Sequence, residues 1–170
     1  MLNVRVKGGN IAALPANGLI TAINSDGMWF GGIDGAIQGV AGPMFHMQAE
    51  RRMPLSDGEV VFAPALDGHA GLFGSVIFVV DDLQQPLQEI VLAGLQEAER
   101  QHLATVTLPS LRTGVMCGVY EPTVEAALDQ TVTAIERFRE AQPQHVTQLT
   151  VVVFNDVPSE RYLAERLVTV

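Results

Sequence analysis

The stretch that most constrains the fold of this chain is residues 20–37, which read ITAINSDGMWFGGIDGAI. It begins with an apolar run, as a buried strand does, and then passes into a polar loop that contains the glycine pair Gly31-Gly32. After this loop, apolar residues recur at helical spacing. A strand, a glycine loop and a helix start in this order place backbone N–H groups where they can face an anion. The alternative is a tight connection without a ligand, but the polar residues Asn24 and Asp34 on either side of the loop favour a binding site.

Composition sets the size and the class of the protein. The chain has 170 residues, 48% of them hydrophobic, so we expect a single domain over residues 1–170 with a sizeable core. It carries 10 basic and 19 acidic residues, for a formal charge of −9. Binding to a nucleic-acid backbone needs clustered cations, so we expect none here. A small anion held by backbone amides is compatible with this charge.

Neither a membrane segment nor a metal centre is predicted. No apolar run reaches the roughly 18 residues of a membrane span, and the N-terminus lacks the apolar core of a signal peptide, so we expect a cytoplasmic protein. The single cysteine, Cys117, excludes an internal disulfide and a multi-cysteine metal site. We expect no metal and no cofactor. The histidines lack metal-binding spacing, and we place all four at the surface or at helix ends: His46, His69, His102 and His145.

Strand-like and helix-like segments alternate along the chain. Strands are predicted at residues 2–6, 19–23, 60–63, 76–80, 105–108 and 149–154. Helices are predicted at residues 34–50 with an interruption at Pro43, and at residues 87–98, 124–138 and 158–167. A short turn after the first strand is capped by Asn10. This alternation predicts an α/β fold in which a mostly parallel sheet lies between two helical layers.

Two glycine-bearing loops follow the second and the fifth strand, at residues 24–34 and 110–120. Both are carboxyl-end loops, where ligands bind in such folds, so we expect one cleft between them. In the second loop, backbone N–H groups and the Thr113 hydroxyl suit a diphosphate, with positive charge from Arg112. The alternative is a structural turn before the next helix. Cys117 is better interpreted as a small filling residue than as a nucleophile, because no histidine or acid is tied to it by the sequence.

Aromatic residues lie in or beside this expected cleft. Phe154-Asn155 closes the last strand at the same edge of the sheet. The Phe154 ring either stacks on a sugar or base or belongs to the core. Trp29 and Phe30 lie inside the first loop, where they either cover a ligand or pin the loop.

The order of these motifs resembles the macro domain, an ADP-ribose-binding module. The resemblance covers nearly the whole chain, and the spacing from Asn24 to Asp34 matches the family without a gap. It implies a three-layer α/β/α sandwich with a mixed, mostly parallel six-stranded sheet, and ADP-ribose or an ADP-ribosylated substrate as the partner. The segments that carry it are GNI (9–11), ITAIN (20–24), GGIDGAI (31–37), AGP (41–43), LPSLRTGV (108–115) and VVVFND (151–156).

The resemblance also implies roles for individual residues. Asn24 and Asp34 stand where the family contacts the distal ribose and where its hydrolytic members carry catalysis, so they are the candidate catalytic residues. Asn10 stands at the adenine contact, the loop after the fifth strand wraps the diphosphate, and Phe154 packs on the nucleoside. The implied ligand-binding residues are Asn10, Ile11, Ala22, Gly31, Gly32, Ile33, Ser110, Arg112, Thr113, Gly114, Val115, Met116, Cys117, Gly118, Phe154 and Asn155.

Several positions depart from the family pattern. Binding of ADP-ribose or a close derivative is the expected function, and hydrolysis of a mono-ADP-ribosyl, acetyl or phosphate group on the distal ribose is compatible with it. The alternatives are a non-catalytic ADP-ribose reader and a degenerate scaffold that binds another nucleotide. The sequence leaves the oligomeric state open. The departures are Asn10 for an aspartate, Thr21 for an asparagine, Trp29 and Phe30 for glycines, Arg112 for a serine, and Met116-Cys117 within the glycine-aromatic ending.

Overall fold

Six strands form one sheet in the computed structural model, which describes residues 1–27, 32–66 and 71–168. The strands are β1 (Asn3–Gly8), β2 (Gly18–Ile23), β3 (Val60–Pro64), β4 (Ser75–Val80), β5 (Thr105–Pro109) and β6 (Gln148–Val153). The helices are α1 (Gly32–Ala41), α2 (Met44–Glu50), α3 (Leu87–Arg100), α4 (Val124–Glu140) and α5 (Val157–Leu167), with a short 3₁₀ helix at Ile11–Ala13.

The strands lie in the order β1-β6-β5-β2-β4-β3. Neighbouring pairs from β1 to β4 are parallel, and β3 runs antiparallel to β4. This confirms the predicted mixed, mostly parallel sheet. Because five strands run the same way, their carboxyl ends meet at one edge of the sheet, which we call the carboxyl edge.

Helices cover both faces of the sheet. Side chains alternate along β2, so Leu19 and Ile23 lie on one face and Ile20 on the other. Leu19 and Ile23 belong to a core that is covered by α1, α2 and the 3₁₀ helix. Ile20 belongs to a larger core under α3, α4 and α5, and a Cβ at Gly94 of α3 would lie only 2.7 Å from its Cγ2. The predicted three-layer α/β/α sandwich is confirmed.

Two element ends show where local chemistry stops a regular structure. Pro43 separates α1 from α2, as its position in the sequence predicts. The predicted sixth strand, residues 149–154, is shifted by one residue, because β6 begins at Gln148 and ends at Val153. The chain turns at Asn155, whose φ is +49°, and the Asp156 side chain then caps α5 by accepting from the Ser159 N–H.

None of the helices within residues 1–27, 32–66 and 71–168 is both long enough and apolar enough to cross a bilayer.

One carboxylate holds the connection that leads from α4 into β6. Glu99 of α3 accepts hydrogen bonds from the backbone N–H groups of Gln144, His145 and Val146, at 2.7, 3.0 and 2.9 Å. Burial raises the pKa of the Glu99 carboxyl, but these three donors outweigh it and leave the pKa below its ordinary value. The ionised form is therefore the one that stabilises the fold.

The replacement Glu99→Gln tests these hydrogen bonds to the connection, because it removes the charge and keeps one acceptor oxygen. We expect it to lower the free energy of unfolding at pH 7 by about 0.5–1 kcal/mol, since the carboxylate is partly exposed. The pKa of Glu99 is lower in the folded state, so its contribution is complete above the unfolded pKa and is lost as pH falls through the folded value. Urea titrations at neutral and acidic pH should show the gap between wild type and variant closing in acid.

The exposed Glu165 of α5 supplies the control, as Glu165→Gln removes the same charge away from this connection. A pH-independent gap for Glu99→Gln, or an equal effect of both replacements, would contradict the role of the ionised carboxylate.

Candidate functional site

Four loops come together along the carboxyl edge because β1, β6, β5 and β2 are consecutive neighbours. Hydrogen bonds align their ends: the Gly9 N–H donates to the Val153 carbonyl at 2.9 Å, and the Ser110 N–H to the Val152 carbonyl at 3.2 Å. The residues after β1, β2, β5 and β6 therefore share one edge. This places the candidate residues from all four segments on the same side of the molecule.

The segment after β1 presents Asn10 at the surface. The Asn10 side-chain oxygen accepts from the Ala12 N–H at 3.0 Å, so its predicted role as a cap is confirmed. Ile11, also a predicted ligand contact, is 5% exposed and lies in the core beneath α1. Any contact from Ile11 to a ligand would therefore have to come from its backbone.

Asn24 follows directly after β2, a central strand, and is half-buried. The next residue is fixed from the side, because the Ser25 N–H donates to Asp82 Oδ1 at 2.9 Å. Asp82 lies just beyond β4, and its own N–H donates to Asp57 Oδ1 at 2.7 Å. Because Asp57 and Asp82 are distant from Asn24 along the chain, no local pattern in the sequence predicts this support for the Asn24 loop.

Asp34 lies in the first turn of α1, and its side chain is 16% exposed. Its Oδ1 is 2.8 Å from Nε2 of His46, whose side chain is 2% exposed. The His46 ring packs edge-on against Phe78 of β4, with 4.9 Å between ring centroids. The prediction of a surface or helix-end position for His46 is therefore wrong, since the face of α2 that carries it turns toward the sheet. His102 and His145 do lie at the surface, where their rings stack, and His69 lies outside the described residues.

The glycine loop before Asp34 is described only in part. Gly32 opens α1 with a φ of +57°, a left-handed conformation that glycine adopts without strain. Ile33 is half-buried against both cores. Trp29, Phe30 and Gly31 lie outside the described residues.

The loop after β5 makes several of its own hydrogen bonds. The Thr113 hydroxyl donates to the Ser110 carbonyl at 3.0 Å, and the N–H groups of Cys117 and Gly118 donate to the carbonyls of Gly114 and Glu121. These donors were predicted ligand contacts, and in this conformation they hold the loop instead. The tip of the loop is open to solvent, with Gly114, Val115 and Met116 all exposed.

Arg112 differs most from its predicted role as a cation facing the diphosphate. Its side chain is 2% exposed and lies between Asp81, which follows β4, and Glu121. The guanidinium donates to both oxygens of Asp81 at 3.0 and 2.7 Å, to both oxygens of Glu121 at 2.9 Å, and to the Gln85 carbonyl at 2.9 Å. All five N–H donors are thus taken by the protein. The expectation that this charge contacts a ligand is wrong.

The Arg112 cluster joins three elements. Glu121 also accepts from the Leu87 N–H at 2.8 Å, at the start of α3. Burial lowers the pKa of Arg112, but the hydrogen bonds from its guanidinium to Asp81 and Glu121 outweigh this and raise the pKa above its ordinary value. The cation is therefore retained, and the loop after β5 is fixed to the segment between β4 and α3.

Phe154 is 68% exposed, one residue beyond β6. The alternative that its ring belongs to the core is therefore wrong. Asn155, its exposed neighbour, has a left-handed backbone and forms the turn. Ala22 is half-buried within β2. An exposed aromatic ring at the carboxyl edge is suited to stacking on a planar ligand.

Within residues 1–27, 32–66 and 71–168, no group of three or more His, Cys, Asp or Glu side chains is arranged to hold a metal ion.

Fold and site together define an α/β/α sandwich whose loops present backbone amides and two polar side chains at the carboxyl edge. The family model described as the macro domain matches residues 20–127 of the 170-residue chain. The chain belongs to the macro domain family. No match was found among curated proteins.

Solved structures show the same fold. The Trypanosoma brucei macrodomain in complex with ADP-ribose has a TM-score of 0.81 and 19% identity, with 96% of this chain and 68% of that chain covered. The Oceanobacillus iheyensis macrodomain with ADP has a TM-score of 0.70 and 24% identity, with 94% of this chain and 86% of that chain covered. At this level of identity, the likeness concerns the fold.

The replacement Arg112→Ala tests whether the buried cluster is structural. It leaves two buried carboxylates without their counter-ion, so we expect the free energy of unfolding to fall by about 3–5 kcal/mol. The triple replacement Arg112→Met, Asp81→Asn and Glu121→Gln removes all three charges and should recover much of this loss. Urea denaturation followed by circular dichroism measures both.

Arg161 of α5 is the control, because it is exposed and Arg161→Ala removes one positive charge from the surface. Equal stability of Arg112→Ala and Arg161→Ala would show that the Arg112 cluster does not hold the fold.

Proposed function

We propose that this protein binds ADP-ribose or an ADP-ribosylated ligand at the carboxyl edge and hydrolyses a group from the distal ribose. The observation that carries the proposal is the partly exposed carboxylate of Asp34, which lies at the start of α1 on the same edge as Asn24. The buried His46 of α2 holds this carboxylate. Membership of the macro domain family and the ADP-ribose bound by the related T. brucei protein support the choice of ligand.

The diphosphate would be bound by backbone amides rather than by an arginine. The exposed tip of the loop, residues 114–116, and the amino-terminal turn of α1 offer N–H groups, and the helix dipole adds partial positive charge. The Arg112 guanidinium has no N–H left for a ligand. A chain with a formal charge of −9 can bind an anion in this way, because backbone N–H groups supply partial positive charge without any basic side chain.

In the catalytic interpretation, Asn24 orients the distal ribose or the attacking water. Asp34 takes the proton from that water or steers it, through the carboxylate oxygen that is not bonded to His46. For a mono-ADP-ribosyl group, the water attacks the ribose carbon, and the bond to the protein side chain breaks as that side chain takes up a proton and is freed. For an acetyl or phosphate group, the water attacks the acetyl carbon or the phosphorus. The ribose oxygen then leaves and takes back the proton held by Asp34, so the products are acetate or phosphate and a free ribose hydroxyl.

A non-catalytic reader is the second candidate, and one observation favours it. Oδ1 of Asp34 already accepts a hydrogen bond from His46, so the carboxylate has a structural partner before any ligand arrives. Under this interpretation, the same residues bind the distal ribose without turning it over.

Binding is tested by calorimetric titration with ADP-ribose. We expect measurable heat and a higher melting temperature, because the ligand binds the native state. The replacement Phe154→Ala should weaken binding by roughly 1–3 kcal/mol, the range for losing an aromatic ring that stacks on a base. If millimolar ADP-ribose produces no binding heat and no shift in melting temperature, ADP-ribose is excluded as the ligand.

Leu72 provides the control for Phe154, since it is 55% exposed and precedes β4, at the opposite edge of the sheet. Leu72→Ala should leave the affinity unchanged. If both replacements have the same effect, the Phe154 ring does not contact the ligand.

The replacement Asp34→Asn separates the hydrolase from the reader. It preserves the shape of the side chain and an oxygen that accepts from His46, and it removes the charge that a general base needs. We expect unchanged unfolding free energy, ADP-ribose still bound, and turnover of a mono-ADP-ribosylated or acetylated substrate lower by about 10²-fold or more.

Glu125 is the matched control, because it is an exposed acid in the first turn of another helix, α4. Glu125→Gln should leave turnover at the wild-type rate. A wild-type protein that binds ADP-ribose well and turns over none of these substrates is a reader, and the hydrolase proposal is then wrong.

A further inference from the structure

The bond between His46 and Asp34 connects two helices. Asp34 lies in the first turn of α1, and His46 lies in α2, beyond the interruption at Pro43. The two side chains meet at 2.8 Å, with the histidine side chain 2% exposed and the aspartate side chain 16% exposed. The histidine is therefore inside the protein, and the carboxylate lies between it and the surface.

The chemistry of the pair sets the direction of the hydrogen bond. An ionised carboxylate only accepts, so the proton lies on His46 Nε2 and is donated to Asp34 Oδ1. The imidazole cannot swing away, because it packs edge-on against Phe78 at 4.9 Å and its helix is fixed by the neighbouring core residues Phe45 and Ala49. A fixed donor holds one carboxylate oxygen and thereby sets the direction of the other.

We propose that His46 is a positioning residue for Asp34: the buried imidazole fixes the carboxylate so that its second oxygen faces the reacting water. This inference rests on the proposed hydrolysis at the same site. His46 makes no contact with the substrate, since Asp34 lies between them. Its effect is on the rate of the chemical step, because a misaligned base loses rate even when the substrate still binds.

The competing explanation is a core histidine whose hydrogen bond only satisfies a buried polar group. Both explanations predict some loss of stability when His46 is replaced. They differ in whether turnover depends on an N–H donor at the Nε2 position. Two replacements separate them: His46→Gln keeps an N–H donor at about the same distance from the backbone, and His46→Leu fills the space without a donor.

We expect His46→Leu to lower kcat by about 10–100-fold while KM for a mono-ADP-ribosylated substrate changes less than about twofold. His46→Gln should restore kcat to within about threefold of wild type. In an Asp34→Asn background, His46→Leu should cause no further loss, since both changes act on one step. The exposed His145 is the control, and His145→Leu should leave kcat unchanged.

Equal kcat in wild type and His46→Leu, or equal loss in the leucine and glutamine variants, overturns the positioning role. A wild-type protein without turnover overturns the proposed hydrolysis and this inference with it. The nitrogen-15 spectrum of the His46 ring shows whether the hydrolysis proposal or the His46–Asp34 hydrogen bond has failed. If only the hydrolysis proposal is wrong, the ring still carries its proton on Nε2. A ring protonated at Nδ1 alone means that the contact itself is wrong.

Discussion

The structure of the carboxyl edge depends on the ion pairs that the buried Arg112 guanidinium forms with Asp81 and Glu121. A buried charge is costly unless its partners satisfy it completely, and here Asp81, Glu121 and the Gln85 carbonyl take all five donors. The cluster fixes the loop after β5 to the start of α3 before any ligand arrives. A loop that is already ordered loses less conformational entropy on binding, so this arrangement favours affinity without contributing a ligand contact. Under the proposed function, backbone amides are then the groups that bind the diphosphate.

The segment after β4 supports both sides of the candidate site. Asp81 holds Arg112 and with it the loop after β5, while the adjacent Asp82 holds the Ser25 N–H beside Asn24. On the opposite face of the sheet, His46 holds Asp34. The polar residues proposed to touch the ligand are thus backed by charged or hydrogen-bonded groups beneath them. This is the arrangement that a site needs if its geometry is to be set before binding.

The elements are predictable from the sequence because apolar periodicity is local, and their alternation predicts a mostly parallel sheet between two helical layers. The resemblance adds that the six-stranded sheet is mixed. Prediction from the sequence fails where a side chain's partner is distant along the chain. The local sequence predicts Arg112 as a ligand cation, since nothing local shows that Asp81, 31 residues earlier, lies beside it. His46 lies in a seven-residue helix, too short for a clear periodic signal, although buried Phe45 and Ala49 flank it. The local signal for Asp81 and Asp82 is an acidic pair directly after β4, and this pattern fits an exposed turn equally well.

In the proposed function, the diphosphate of ADP-ribose binds the backbone amides of the carboxyl edge. A titration of the nitrogen-15-labelled protein with ADP-ribose, followed by chemical-shift mapping, tests this binding mode. We expect the largest amide shifts at the loop tip, residues 114–116, and at Gly32, with Leu72 and other residues of the opposite edge unaffected. Shifts concentrated at that opposite edge, or saturable binding that leaves the tip and the start of α1 unchanged, would contradict it.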